Sequence, residues 1–472
     1  MLKHFYWNSI NKFGTQLISF TGNVIIARQL LPDDYGLIAM LAIFMSIAIN
    51  FTDSGYADFL IRDANSDKKD FAVVFTHNLV FGIFFYFILF FTAPLIASFY
   101  EEPVLIEITR VLGLSIIFRA ICLSEFTRMR KELLFKNLAV INITSILFSI
   151  IIAYLFAING WGYWTLVIQL LSTGFINLVL IILFNKWRPI FYFNLNRYKR
   201  MRKFGNNMLI SYLFNQFGKN LFSVIIGKFY SPEILGYFSQ GEKISRISVT
   251  SINTIFLNTS YPILSRENDK LKRKAIYISI FNHHLFTHFS LSLILIGSAY
   301  QLIPILFGNQ WTPTAPLLQL LLISYLFRPL ITLNHNIIKV ENKSNLYRNL
   351  VFLRNSLLLI SLFLTYRYSI SAIIYGQVVV MYISALISVI VCGRYVDLFI
   401  KEQLGIAIKQ LIAPLISTIL SYKLMTSLSF SENWQLLTVF IISFMFLFVA
   451  VNILTKNQSF FQAIAKLKFI NN

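Results

Sequence analysis

The chain has 472 residues, of which 57% are apolar and 13% charged, and 41 Lys and Arg stand against 20 Asp and Glu. An ordinary soluble domain carries about 25% charged residues, so this composition excludes a soluble enzyme, a disordered chain and a disulfide scaffold. A transmembrane helix needs about 20 mostly apolar residues, and the basic excess is typical of cytoplasmic loops that face anionic lipid.

Long apolar stretches predict fourteen membrane spans in chain order, and each must be helical because backbone groups in lipid have to satisfy their own hydrogen bonds. The predicted spans are 10–31, 36–57, 71–98, 104–126, 137–157, 162–184, 206–229, 234–262, 276–306, 314–337, 348–366, 370–393, 406–427 and 435–455. Kinks or helix breaks are expected at the prolines within or at the ends of spans, which are Pro94, Pro262, Pro304, Pro329 and Pro414.

The charges of the loops predict the orientation. The loop 185–204 contains seven basic residues, which are Lys186, Arg188, Arg197, Lys199, Arg200, Arg202 and Lys203. Loops on the opposite side are short and carry acids, such as Asp33 and Asp34 or Glu101 and Glu102. Because basic loops stay on the cytoplasmic side, both termini are predicted to be cytoplasmic.

A thirteen-residue pattern occurs twice. Residues 24–36 read Val-Ile-Ile-Ala-Arg-Gln-Leu-Leu-Pro-Asp-Asp-Tyr-Gly, and residues 224–236 read Val-Ile-Ile-Gly-Lys-Phe-Tyr-Ser-Pro-Glu-Ile-Leu-Gly. Each copy ends a span, and an even number of spans separates them, so the two halves have the same orientation and form a parallel repeat. The predicted fold is an all-α integral membrane protein with about fourteen transmembrane helices. It has two six-helix lobes, 1–190 and 191–400, followed by two extra helices and a cytoplasmic tail over 401–472.

Short motifs in both halves resemble one family. They are Trp7, Arg28, Pro32-Asp33, Gly36 and Met40, then Ala93 to Ala97 with Glu102-Pro103, Arg130 to Leu133, Lys203 to Gly205, Leu235 to Ser239 with Lys243, and Tyr261-Pro262. Over residues 1–400 the chain resembles the repeat-unit flippases of polysaccharide biosynthesis, in the multidrug, oligosaccharidyl-lipid and polysaccharide exporter superfamily, and especially the colanic-acid and teichuronic-acid exporters.

The resemblance implies a secondary-type transporter of the bacterial inner membrane and no enzyme. Such a protein flips undecaprenyl-diphosphate-linked oligosaccharide units (O-antigen, capsule or exopolysaccharide) by alternating access, without ATP hydrolysis. The implied partners are this lipid-linked oligosaccharide, bilayer lipid, a polysaccharide polymerase and a chain-length regulator. No nucleic acid partner, cofactor, metal or catalytic residue is predicted.

Charged residues within the spans or just beside them supply the candidate site. Seven are bases (Arg110, Arg119, Lys219, Lys243, Arg246, Arg328 and Arg354) and five are acids (Asp53, Asp58, Glu107, Glu125 and Glu242). A base in the bilayer costs about 2.5–3.5 kcal/mol on insertion scales, so such residues normally face protein or water. Even complete pairing leaves two bases over, and a cavity with surplus positive charge suits a diphosphate.

Two of these bases have a structural interpretation as an alternative to substrate binding. The resemblance places Lys243 at a cationic position of these exporters, and Arg246 follows three residues later on nearly the same helix face. A purely structural Glu242–Arg246 pair is the competing interpretation for Arg246. Arg119 is a candidate phosphate or gating contact, with pairing to Glu125 or Asp53 as its alternative.

The remaining candidates are polar groups and weaker bases. Span seven carries a polar stripe that includes Asn215, Gln216 and Lys219, which indicates a cavity lining or hydrogen bonds to neighbouring helices. Gln16 in span one is a candidate sugar contact or an interhelical hydrogen bond, and Arg328 is a further substrate-binding candidate. Arg110, one turn from Glu107, is more typical of a structural ion pair.

Two other functions remain open. A drug or organic-cation exporter of the same superfamily would need an acidic or aromatic pocket, whereas the intramembrane charge here is basic. A membrane glycan polymerase or ligase would need a sizeable catalytic outer loop, whereas the predicted outer loops are about 15 residues or shorter.

Overall fold

A computed structural model describes residues 2–185, 190–428 and 430–462, and in this part of the chain all regular secondary structure is helical. A few side chains within the helices lie outside the description: Leu2, Lys3, Phe5, Asn185, Lys203, Ser211, Phe214, Asn215, Phe217 and Lys219. The chain forms two compact units, Met1–Gly236 and Tyr237–Asn472. The predicted all-α membrane fold is confirmed.

The described residues of the first unit form nine α-helices and the first turn of a tenth. The helices are α1 (Leu2–Ser9), α2 (Thr15–Ala27), α3 (Pro32–Asp53), α4 (Tyr56–Arg62), α5 (Lys68–Tyr100), α6 (Leu105–Lys131), α7 (Phe135–Ile158), α8 (Trp164–Asn185), α9 (Leu195–Phe229) and α10 (Pro232–Arg266). A π-helical turn, Ile10–Gly14, joins α1 to α2.

The second unit takes the rest of α10 and seven further α-helices. These are α11 (Lys270–Phe307), α12 (Thr314–Tyr325), α13 (Arg328–Val340), α14 (Ser344–Thr365), α15 (Ile370–Cys392), α16 (Ile400–Ser427) and α17 (Asn433–Leu454). Short 3₁₀ turns lie at Asn309–Trp311 and Gly393–Tyr395. One buried apolar cluster of this unit includes Tyr277, Phe281 and Phe289 on α11.

Ten helices of the described chain are long and apolar enough to cross a membrane. The predicted spans 10–31, 104–126 and 234–262 also form helices, but these helices fall short of that length or apolarity. The predicted span 206–229 lies within α9, where several side chains are outside the described residues. Several of the polar and charged side chains of the candidate site lie on these four segments. The number fourteen therefore stays a prediction.

The proline break predicted at Pro329 is confirmed. The helix ends at Tyr325 and restarts at Arg328, directly before this proline. Proline lacks an N–H and cannot complete the helical ladder, so the Tyr325 carbonyl is available to another donor. His288 on α11 donates from Nε2 to that carbonyl oxygen at 3.0 Å. The other four prolines lie inside continuous helices.

The two copies of the repeated pattern contact each other. A Cβ added to Gly36 would lie 1.8 Å from the carbonyl oxygen of Pro232, and one added to Gly236 would lie 1.9 Å from the carbonyl oxygen of Pro32. Each glycine therefore admits the backbone of the other copy. The first turns of α3 and α10 cross in a reciprocal backbone contact, as a two-fold relation between the copies requires. We call these four residues the Pro-Gly crossing.

Candidate substrate-binding site

Three arginines of the second unit, contributed by three helices, make a cationic cluster. Arg246 on α10 donates to the carboxylate of Glu242 one turn earlier. The guanidinium of Arg328, on α13, lies 5.3 Å from the centre of the Tyr325 ring. Arg246 and Arg354 of α14 are both close enough to Arg328 for charge repulsion. We call Arg246, Arg328 and Arg354 the arginine cluster.

The arginine cluster has one carboxylate among its described near neighbours, so its charge is only partly neutralised. Glu242 binds Arg246, whereas neither Arg328 nor Arg354 has a carboxylate within 4.0 Å in the described chain. The Glu242–Arg246 pair, which was the competing interpretation from the sequence, therefore forms. The guanidinium groups of Arg328 and Arg354 lie near it. Surplus guanidinium groups bind phosphoryl oxygens well because each presents several fixed N–H donors.

The break between α12 and α13 holds Arg328 in position. In addition to the His288 bond, Gln377 of α15 donates from Nε2 to the Ser324 hydroxyl at 3.2 Å, and Tyr382 donates from its hydroxyl to the Ile323 carbonyl at 3.1 Å. Side chains of α11 and α15 therefore bind the last turn of α12. Sequence reasoning anticipated the break but missed these partners, because they come from distant helices.

The other predicted residues of α10 and α2 take different positions. Lys243 is exposed on α10, three residues before Arg246. Gln16, on α2, is half-buried in the first unit. Nothing in the structure tests whether either residue contacts a substrate, and their predicted roles stay predictions.

The polar stripe of α9 is described only in part. The side chains of Asn215 and Lys219 lie outside the described residues, and Gln216 is half-buried. Asn220 donates from Nδ2 to the Ser46 hydroxyl of α3 at 3.2 Å. At this position the stripe therefore makes an interhelical hydrogen bond, the alternative that intramembrane polar residues often adopt.

Arg119 lines a cavity within the first unit, of about 500 Å³, bounded by α3, α6, α7 and α8. Its predicted alternative partner Glu125 is engaged elsewhere, because Arg128 donates to both oxygens of that carboxylate, at 2.6 and 2.8 Å. Arg130 lines the same cavity. Sequence reasoning did not select Arg130 as a site residue, although the eleven-residue spacing from Arg119 equals three helical turns.

Arg110 does not pair with Glu107 within 4.0 Å in the described chain, so that prediction is wrong. Its guanidinium lies 4.5 Å from the centre of the Phe90 ring on α5 and donates from Nε to the Phe90 carbonyl at 3.4 Å. An aromatic face and a backbone carbonyl thus replace the expected acid.

Two arginines of the basic segment 185–204 form ion pairs with described acids. Asp70, 1% exposed near the start of α5, accepts hydrogen bonds from Arg197 at 2.9 Å and from Arg200 at 2.9 Å. Arg197 also donates to Asp67 at 2.6 Å. Hydrogen bonds to Asp70 and Asp67 raise the pKa of Arg197. These pairs hold the start of α9 against the start of α5, so the two arginines have a structural role.

At the other end of α9, Lys228 donates to the carboxylate of Glu101 at 2.7 Å. The Lys228 hydrogen bond and charge hold the pKa of Glu101 below its usual range. Lys228 belongs to the second copy of the repeat and precedes Pro232 of the Pro-Gly crossing by four residues along the chain.

Solved structures define the class of protein. The fold is similar to that of the lipid II flippase MurJ in an inward closed conformation, with a TM-score of 0.74 and 12% identity over 95% of this chain and 99% of that one. It is also similar to an inward-facing multidrug resistance MATE family transporter of the MOP superfamily, with a TM-score of 0.63 and 12% identity over 81% and 96% of the two chains. The chain therefore shares the fold of these two transport proteins.

The family follows from the sequence. Residues 25–316 match the family described as polysaccharide biosynthesis protein, and the chain belongs to that family. The teichuronic acid biosynthesis protein TuaB of Bacillus subtilis (strain 168) is 25% identical over 62% of this chain. The succinoglycan biosynthesis transport protein ExoT of Rhizobium meliloti (strain 1021) is 22% identical over 67% of it. The matches span 62% and 65% of these relatives' own lengths. The resemblance inferred from the short motifs is confirmed.

Proposed function

We propose that the protein flips undecaprenyl-diphosphate-linked oligosaccharide units across the bacterial cytoplasmic membrane by alternating access. Family membership, the fold shared with a lipid II flippase and the relatives in teichuronic acid and succinoglycan biosynthesis support this proposal. The charge pattern of the loops supports an orientation with both termini in the cytoplasm. A polysaccharide polymerase and a chain-length regulator are the protein partners that we expect.

The arginine cluster is the observation that carries the proposal. Three guanidinium groups with one nearby carboxylate in the described chain would be costly in a membrane protein without an anionic ligand. A diphosphate supplies charge and several acceptor oxygens. In this proposal Arg246, Arg328 and Lys243 hold the diphosphate, and Lys219, Asn215 and Gln216 of α9 with Gln16 of α2 contact the head group. The apolar tail stays in lipid.

A drug or organic-cation exporter is the second candidate, and the similarity to a MATE transporter favours it. The two functions require opposite charge at the site. Neutralising arginines should weaken the binding of an anionic lipid and should leave the export of an organic cation unchanged or improved.

The experiment is transport in proteoliposomes. A lipid-linked oligosaccharide with a polyprenyl diphosphate is placed in the inner leaflet, and its appearance outside is followed with an impermeant glycosidase. We expect transport by the wild type and at least a tenfold loss with Arg246→Gln or Arg328→Gln, since a charged hydrogen bond contributes about 1.5–3 kcal/mol.

Arg367→Gln is the matched control. Arg367 is exposed just after α14 and lies over the Tyr366 ring, 5.4 Å from its centre. Equal losses in all three variants would show a general effect of lost charge and contradict the site. Absence of transport by well-folded wild type, together with no accumulation of lipid-linked intermediates in a deletion strain, would refute the function.

A further inference from the structure

The cavity of the first unit lies along one face of α6. Arg119, Cys122, Phe126 and Arg130 all line it, at helical spacings of three and four residues that place them on one stripe. With a rise of 1.5 Å per residue, the eleven residues between the two arginines correspond to about 16 Å along the helix axis. The charges of the two guanidinium groups nevertheless reach each other, so the two side chains approach each other along this face of the helix.

The walls opposite α6 are mostly apolar. Ile38, Met45 and Ile49 of α3 and Leu170 of α8 face the same space. Polar groups enter from α7 and α8. Asn142 donates to the Asn11 amide oxygen at 3.1 Å, while the buried Asn177 Oδ1 has no hydrogen-bond partner in the described chain. A volume of about 500 Å³ lies within the usual range of ligand cavities.

Arg119 and Arg130 lack the close partners that the other arginines of α6 have. Arg128 binds Glu125 and Glu132, each at 2.6 Å, and Arg110 lies over an aromatic ring. Arg119 and Arg130 have no carboxylate within 4.0 Å among the described residues. The charge of Asp53 reaches both of them. With that carboxylate counted, the cavity keeps one positive charge.

We propose that this cavity binds a phosphoryl group carried on an apolar chain, through Arg119 and Arg130. Guanidinium groups bind phosphoryl oxygens through paired N–H donors, and the Asn177 amide adds a neutral polar group to the same wall. The apolar residues of α3, α6 and α8 that line the cavity suit a hydrocarbon chain better than a sugar, which would need hydrogen-bond partners along its length. The site is built wholly from the first unit and is separate from the residues of the arginine cluster. This proposal rests on the proposed function in one respect: the transported lipid is one source of a phosphoryl group on an apolar chain.

Binding is measured on the full-length protein in detergent by native mass spectrometry and equilibrium dialysis, with decaprenyl phosphate, decaprenol and inorganic phosphate as three separate probes. We expect decaprenyl phosphate to bind and uncharged decaprenol to bind at least tenfold more weakly. Arg119→Gln and Arg130→Gln should each weaken decaprenyl phosphate binding at least tenfold. Arg110→Gln removes the same charge from α6 outside the cavity and should leave binding unchanged.

Ala42→Phe provides an independent test, because Ala42 lines the cavity and the larger ring would occupy it while both arginines remain. This variant should also weaken binding at least tenfold, and melting temperatures and gel-filtration profiles establish that each variant is folded. Inorganic phosphate binding with the same dependence on both arginines would support the site with solution phosphate as the source. Binding that is insensitive to Arg119→Gln, Arg130→Gln and Ala42→Phe would overturn the proposal.

Transport is read separately on the same proteins. If the wild type binds decaprenyl phosphate in this cavity but flips no lipid-linked oligosaccharide, the proposed function fails and the cavity assignment stands. If transport is normal and the cavity variants bind like the wild type, the assignment fails and the function stands.

Discussion

The Pro-Gly crossing makes a strong prediction about stability, because its contact is between backbones and cannot be relieved by a side-chain rotation. In Gly36→Ala the new Cβ would lie 1.8 Å from the Pro232 carbonyl oxygen and 2.5 Å from its carbonyl carbon. Separations under 3.0 Å essentially never occur for Cβ atoms. The first turns of α3 and α10 must therefore move apart by more than an ångström.

Overpacking of this kind typically costs about 1–3 kcal/mol, and the gain in helix propensity from glycine to alanine returns at most about 1 kcal/mol. We expect a net loss of about 1–2 kcal/mol for Gly36→Ala and a similar loss for Gly236→Ala. For a unit of this size, 1 kcal/mol corresponds to roughly 2–4 °C in melting temperature. The measurement is thermal unfolding of purified protein in detergent.

The double variant tests whether the two glycines share one contact. Once the first Cβ has separated the two turns, the second should cost less, so the double variant should be destabilised by less than the sum of the single variants. Gly405→Ala is the control, because a Cβ there meets nothing within 4 Å and α16 should be unchanged or slightly stabilised. Single variants as stable as Gly405→Ala, or fully additive losses, would refute the reciprocal contact.

Two further predictions concern ion pairs near the ends of α5 and α9. The pKa of Glu101 is lowered in the folded protein by Lys228, so this pair stabilises the fold above the ordinary carboxyl pKa of about 4.3, and the contribution is lost as the pH falls through the lowered pKa. Melting curves from pH 7 to pH 3 should show the wild type losing this advantage over Lys228→Met, and a constant difference between the two would contradict the pair. Asp70 is buried between two arginines, so Arg197→Gln with Arg200→Gln should lower the melting temperature by more than either change alone, since the carboxylate would then be buried without a cation. An unchanged melting temperature in the double variant would show that Asp70 does not need them.

The helices and their order followed from local sequence. Apolar stretches of span length form helices because the backbone must satisfy its own hydrogen bonds, and Pro329 breaks its helix because it lacks an N–H. The thirteen-residue repeat could be recognised in the sequence because both copies keep the proline, the acid and the glycine of the same turn. Those properties depend on neighbours within a few residues of each other along the chain.

The state of each charge was decided by the tertiary structure. From spacing alone Arg110 was expected to bind Glu107, whereas α5 offers it the Phe90 ring instead. Arg128 binds the carboxylate of Glu125, whereas Arg119 and Arg130 line a cavity.

Sequence alone thus determined that this is a basic, helical membrane protein in which one thirteen-residue pattern occurs twice, and which bases its helices carry. It did not determine which of those bases are neutralised, because a base on one helix meets an acid, a ring or a cavity contributed by helices far away in the chain. Nor did it show that Gly36 and Gly236 contact each other's turns, since only the folded chain brings together segments two hundred residues apart.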